Sequence, residues 1–190
     1  MTTETIEIPI RGVCPLLMHN GALADPLDER TISLAAVTGK RFKTQADHEE
    51  IARREWYGSL WLNDKLPCLP QEAIEAAFVK GAITRTKRGD AAKAGFVVNE
   101  PAMLVYDGPR DLAELWEDKR FRLRKGVRVK RGRPMRTRPR FPVWSATISA
   151  TFLITELNRS EVVDFMKIAG AVRGIGDWRP KYGRFEVLID

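Results

Sequence analysis

An α+β fold is predicted by two strongly alternating segments, residues 4–13 and 144–154, interleaved with two segments of helical periodicity, residues 71–82 and 160–172. A third observation bears on function: Lys119 to Arg140 holds twelve Lys and Arg residues and not one Asp or Glu. Outside that stretch 20 basic residues face 25 acidic ones, so the net charge of +7 is made by one segment. A chain of 190 residues buries a core without disulfide staples, and a single domain with two insertions is expected.

The first strand, residues 4–13, sets Ile6, Ile8 and Ile10 against Glu7 and Arg11, the period of two of a half-buried strand. Pro9 favours an edge position, since it has no N–H to give to a ladder. The apolar run after Thr31 gives no firm element. Residues 44–62 predict a helix, with Thr44 as cap, Asp47 at the capping-box position, and Ile51, Ala52, Trp56, Tyr57 and Leu60 as its apolar stripe. Leu66–Leu69 reads as extended and feeds a helix over 71–82 with Pro70 at its start. Residues 84–95 read as a mobile basic loop carrying Arg85, Lys87, Arg88 and Lys93, followed by a strand around Phe96–Tyr106 and helical turns at Asp111–Asp118.

The centre of the basic segment alternates and predicts a strand over 126–133, paired as a hairpin with the strand at 144–154, in which Trp144, Ala146, Ile148, Ala150 and Phe152 share one side. A helix over 160–172 and a strand over 184–189 close the chain. With residues 20–66 and 84–118 set aside as insertions, the order is βαββαβ, that of a ferredoxin-like (RRM-like) fold with helices on one face of an antiparallel sheet. In RNA-recognition modules the other face stays open for binding.

The two cysteines, Cys14 and Cys68, have neither CxxC spacing nor a histidine at zinc spacing, so buried free thiols are expected, with no metal site and no cofactor. The N-terminus lacks a basic region followed by an apolar one, and no apolar run is long enough to cross a bilayer; a cytoplasmic protein without a membrane partner is expected.

Two regions carry the functional expectation. Arginine occupies nine of the twelve basic positions in the basic segment, and its planar fork suits phosphate better than a point charge does. Arg128, Lys130, Arg131, Arg133, Arg136, Arg138 and Arg140 are therefore the candidate phosphate contacts, with Phe141 and Trp144 beside them either stacking on bases or packed in the core. The second region is the loop from Gly174 to Arg184. Gly174, Gly176 and Gly183 permit close backbone approach to an anion, Arg179, Lys181 and Arg184 add charge, and Trp178 and Tyr182 offer stacking faces. The alternative is that Gly174 caps a helix and the aromatics belong to the core. No GKS or GKT sequence ends the loop, which argues against nucleotide hydrolysis.

An opening strand ending in Pro15-Leu16-Leu17, a Pro70-initiated helix after Leu66–Leu69, and a C-terminal glycine pattern with Gly174, Gly176, Gly183, Phe185 and Val187 resemble the RAMP superfamily of CRISPR proteins. The resemblance implies a ferredoxin-like domain that grips guide RNA backbone, most like the subunits that polymerise along the guide. A stand-alone phage or mobile-element protein coating single-stranded nucleic acid resembles that family equally. Gln71-Glu72 in place of the family's small residues, and Asp177 and Pro180 inside the glycine loop, depart from its pattern. The expected function is thus non-enzymatic binding of single-stranded nucleic acid, RNA before DNA, with self-association along the strand. Some members of the superfamily are histidine-using ribonucleases, which makes His19, and less so His48, the candidates for a metal-independent endoribonuclease. A structural or assembly protein that offers the basic arm to an acidic partner is the other alternative.

Overall fold

The computed structural model describes residues 2–128 and 132–189. In chain order the elements are β1 (Thr3–Gly12), β2 (Leu16–Leu17), α1 (Glu29–Thr38), α2 (Gln45–Ser59), β3 (Leu62–Asn63), β4 (Leu66–Leu69), α3 (Gln71–Arg85), α4 (Gly89–Gly95), β5 (Phe96–Val98), β6 (Ala102–Met103), α5 (Leu112–Glu117), β7 (Arg122–Gly126), β8 (Met135–Phe141), β9 (Ser145–Leu153), α6 (Arg159–Ile168) and β10 (Phe185–Val187). The fold is α+β with antiparallel sheets. The chain divides into two compact units, residues 1–16, 62–107 and 142–190 forming the first, and 17–61 with 108–141 the second.

The first unit is built on a four-stranded sheet in the order β10-β1-β9-β5. Alternation dictates its two faces: Ile6 lies opposite Ala150, Ile8 opposite Ile148 and Ile10 opposite Ala146, and all six are buried. Against that apolar face pack α3 and α6, with Phe78 of α3 stacked on Phe96 at 3.8 Å between ring centroids and 5.9 Å from Phe165 of α6. Asn158 caps α6 in a reciprocal box with Glu161. A small sheet in the order β3-β4-β6 completes the unit.

Two expectations are corrected here. The strand at 144–154 pairs with β1 and β5, while of the stretch 126–133, whose residues 129–131 lie outside the described ones, Gly126 pairs with Met135; the sheet's edge beside β9 is thus Phe96–Val98, taken from a stretch that sequence pattern set aside. Pro9 lies in an internal strand. Its missing N–H is tolerated because β10 is short: the β1–β10 ladder pairs Ile10–Gly12 with Phe185–Val187, and past its Ile10 end the Leu188 N–H returns to the Pro9 carbonyl, at 2.9 Å.

The second unit packs α1 and α2 with a three-stranded sheet in the order β2-β8-β7. Asp28 caps α1, and Thr44 caps α2 in a capping box with Asp47, as the sequence predicts for the second of these helices. Trp56 of α2 is fully buried, its indole N–H donating to the Phe121 carbonyl at 2.9 Å, and its ring meets Trp116 of α5 edge-on at 5.5 Å. Among the described residues no helix is long and apolar enough to cross a membrane.

Candidate functional site

The basic segment folds on itself. β7 and β8 form a hairpin in which Lys125 faces Arg136, Leu123 faces Arg138 and Arg124 faces Thr137. Because successive residues point to opposite faces, Lys125, Arg136 and Arg138 share one side of this ribbon. On that side stands Glu55 of α2. Its carboxylate accepts from Arg138 Nη1 at 2.8 Å and lies 3.5 Å from Arg136 Nη1, while its second oxygen accepts the Thr137 backbone N–H at 2.9 Å. The two-residue β2 leaves that edge of β8 without a strand partner at Thr137, and the carboxylate takes its place.

Burial then separates arginines that look alike in sequence. Arg138 is 6% exposed, so its charge is satisfied inside the unit by Glu55, and it is withdrawn from the phosphate contacts. Arg136 is half-buried in the same network, and Arg140 is half-buried. Arg128 and Arg133 are exposed, as are Arg124 and Lys125, which the sequence did not single out. Lys130 and Arg131 lie outside the described residues. Arg120 is held by Asp118 at 2.7 Å, and Arg122 lies over the Trp116 ring at 4.5 Å. Among the described residues no carboxylate forms an ion pair with Arg124, Lys125, Arg128, Arg133 or Arg140. Phe141 is buried in the core of this unit.

In the first unit the glycine loop is closed by its own backbone. Gly174 ends the helical turn that follows α6, its N–H donating to the Ala169 carbonyl at 2.8 Å; Ile175 N–H donates to the Gly183 carbonyl at 2.9 Å, and Gly183 N–H to the Pro15 carbonyl at 2.9 Å. Gly174 and Gly183 both have positive φ, +71° and +74°, and a Cβ at Gly183 would stand 1.7 Å from the Ile175 carbonyl oxygen. Two of the three glycines therefore serve close approach of chain to chain. Gly176 has φ of +91°. Arg179, Lys181 and Arg184 are exposed, and Trp178 and Tyr182 are half-buried, meeting edge-on at 6.1 Å. Trp144 is core: it is 1% exposed and its indole N–H donates to the Cys14 carbonyl at 2.9 Å.

The segment predicted as a mobile loop is instead the last turn of α3 followed by α4. Arg88 ties it down by an ion pair to Glu161 and a hydrogen bond to the Glu156 carbonyl, so this arginine is removed from the ligand contacts, whereas Arg85, Lys87 and Lys93 stay exposed. The face of the main sheet turned away from the helices presents Thr5, Glu7, Pro9 and Arg11 of β1 with Ser145, Thr147, Ser149 and Thr151 of β9. It carries no aromatic ring on which a base would stack, and Arg11 is paired there with Glu186 at 2.6 Å. The open-face mode of RNA-recognition modules is thus not supported by its side chains.

His19 and His48 are both exposed, the first just after β2 and the second in α2. Among the described residues no group of three or more His, Cys, Asp or Glu is placed to hold a metal ion. Cys68 is buried, and desolvation, with a smaller contribution from the Glu72 charge, pushes its thiol up to about 11, so it stays protonated at neutral pH.

No described protein family matches the sequence, and no curated protein does. Among solved structures the chain is similar to the crystal structure of Cmr6 from Pyrococcus furiosus, at a TM-score of 0.42 and 9% identity, over 98% of this chain and 99% of that one.

Proposed function

We propose that the chain binds single-stranded nucleic acid, RNA in preference to DNA, through phosphate contacts and without a chemical step, and that copies associate side by side along the strand. The observation that carries this is the set of exposed cations on and beside the β7–β8 hairpin, Arg124, Lys125, Arg128 and Arg133, in a stretch without one carboxylate. Cations so concentrated attract a polyanion and release its counterions, whereas charge that serves solubility alone is spread and mixed in sign. The glycine loop adds Arg179 and Lys181, with Trp178 as the stacking group.

The preference for RNA and the association along the strand rest on the likeness of the Gly174–Val187 pattern to RAMP proteins. The first unit supports the same reading. Its elements β1, α3, β5, β9, α6 and β10 follow one another in βαββαβ order, and we read it as ferredoxin-like.

Fluorescence anisotropy with labelled single-stranded RNA of about 40 nucleotides, its DNA counterpart and duplex DNA, between about 50 and 400 mM salt, tests the proposal. Tight binding to single strands, with log K falling by roughly 0.7 per phosphate contact for each unit of log salt, is expected. Absence of binding to all three at low salt overturns it, and the hairpin would then be an arm for an acidic protein. Cleaved RNA in the same samples, lost in His19→Ala with binding retained, would replace it by the ribonuclease alternative.

A further inference from the structure

The net positive charge of this chain lies in one segment, yet the first unit has a basic cleft of its own. Lys80 and Ile83 on α3, Val172 and Arg173 after α6, and Arg179 and Pro180 in the glycine loop line an open cleft of about 390 Å³. Three of its six lining residues are cations and none is an acid. Its floor is apolar and wet: Ile83 is 56% exposed and Val172 49%. Part of the Ile83 side chain packs on Gly89 of α4; the rest, with Val172, faces water among like charges. An anion with an apolar portion would relieve the repulsion and cover that apolar surface together. Arg173 is held in orientation, its Nε donating to Thr84 Oγ1 at 2.9 Å, which leaves its two terminal nitrogens for a ligand. Ile83 also lines a neighbouring cleft with Lys87, Asp90 and Lys93, where two cations face one acid.

We propose that this cleft is a nucleotide-sized subsite for the single strand, in which Lys80, Arg173 and Arg179 hold successive phosphates and Ile83, Val172 and Pro180 carry the sugar and base between them. The inference rests on the strand-binding function argued above and adds Lys80 and Arg173 to it. The volume lies within the range of small-molecule pockets, and a phosphodiester is the ligand whose chemistry alternates anion with flat apolar surface at this scale. An acidic peptide would satisfy the cations and leave the apolar floor open to water.

The test compares five forms of this chain by anisotropy with single-stranded RNA across the salt range: the parent, Lys80→Gln/Arg173→Gln, Ile83→Gln, the charge-keeping Lys80→Arg/Arg173→Lys, and a control pair Arg41→Gln/Lys43→Gln outside the cleft and the hairpin. Loss of two phosphate contacts lowers the salt slope by about 1.4, whereas Ile83→Gln weakens binding several-fold at an unchanged slope, because an apolar contact releases no counterions. Lys80→Arg/Arg173→Lys keeps the slope and, with thermal melts, separates ligand contact from folding. If the parent binds and Lys80→Gln/Arg173→Gln behaves like the control pair, the subsite is wrong and the strand-binding function stands. If the parent does not bind nucleic acid but binds polyglutamate in a way that Lys80→Gln/Arg173→Gln abolishes, both fall and the cleft belongs to an acidic protein.

Discussion

The glycine loop of the first unit and the arginine hairpin of the second are both candidate contacts for a strand, and they are held in place by opposite means. Backbone holds the loop: Ile175, Gly183 and Pro15 are joined through main-chain hydrogen bonds, and its cations project from a frame that owes nothing to them. The hairpin is held by a side chain, since one carboxylate, Glu55, takes an N–H of β8 and two guanidinium groups. A loop closed by backbone therefore tolerates loss of its charges but not of its glycines. A ribbon anchored by an ion pair tolerates loss of its outer arginines but not of its anchor.

The largest expected effects test that contrast. Gly183→Ala forces a left-handed φ on a residue with a Cβ and drives that Cβ into the Ile175 carbonyl. Left-handed strain costs about 1–2 kcal/mol, and opening the backbone pair should bring the loss to about 3 kcal/mol or more. Gly21→Ala, with nothing near its Cβ and no positive φ, is the control. Urea unfolding placing Gly183→Ala within about 0.5 kcal/mol of the parent would show that the loop is not closed this way. In the second unit Glu55→Ala removes the carboxylate to which the buried Arg138 and the Thr137 N–H both donate, at a cost of about 3 kcal/mol. The double change Glu55→Leu/Arg138→Met should recover part of it, because an apolar pair needs no desolvation, while the Thr137 N–H still loses its acceptor. A near-additive double mutant would sink the pairing argument.

A middle-sized effect concerns ligand and not stability. Arg124→Gln/Arg128→Gln/Arg133→Gln removes three exposed cations and should lower the salt slope on single strands by about 2, while unfolding free energy moves by no more than about 0.5 kcal/mol. Equal slopes for parent and variant would leave the glycine loop and its neighbours as the contact and end the role of the hairpin.

Legibility followed the same division. The alternation of β1 and β9 could be read because one face of each is packed against helices, which forces a period of two on the residues. Phe96–Val98 reads as the start of a strand around Phe96–Tyr106 but not as part of the main sheet, since three residues display no period that shows which face is packed, and the charged alternation at 126–133 competes for the same place in the order. Arg128 and Arg138 are equivalent in a sequence, each among other arginines in an extended stretch. Only Glu55, more than 80 positions away, makes one of them core. The glycines were found, and at Gly174 and Gly183 the structure shows what the sequence did not, a close approach of backbone to backbone. Lys80 and Arg173 fell outside the sequence expectation because they are far apart in the chain, and each alone is an ordinary helix-surface cation.

The smallest expected effect sharpens the contrast through pH. The carboxylates held below their ordinary range among the described residues lie in the second unit: Asp28, lowered to about 2 by its hydrogen bonds from Arg30; Asp47, lowered to about 2 by Lys40 and then by Thr44; and Asp118, lowered by Arg120. Each binds its proton more weakly folded than unfolded, so the stability it contributes is complete above about pH 5 and falls as pH drops past the unfolded value of 3.8; for Asp28 and Asp47 it is gone below about 2. All three are half-buried but pair with exposed cations at the surface, where solvent screening keeps the effect small. Asp28→Asn/Asp47→Asn should therefore be slightly less stable than the parent at pH 7 and converge with it near pH 2–3, as read from urea midpoints. Parallel pH profiles for the two proteins would mean that these caps act by shape alone, and that the second unit, like the glycine loop, is insensitive to the charge of the groups that close it.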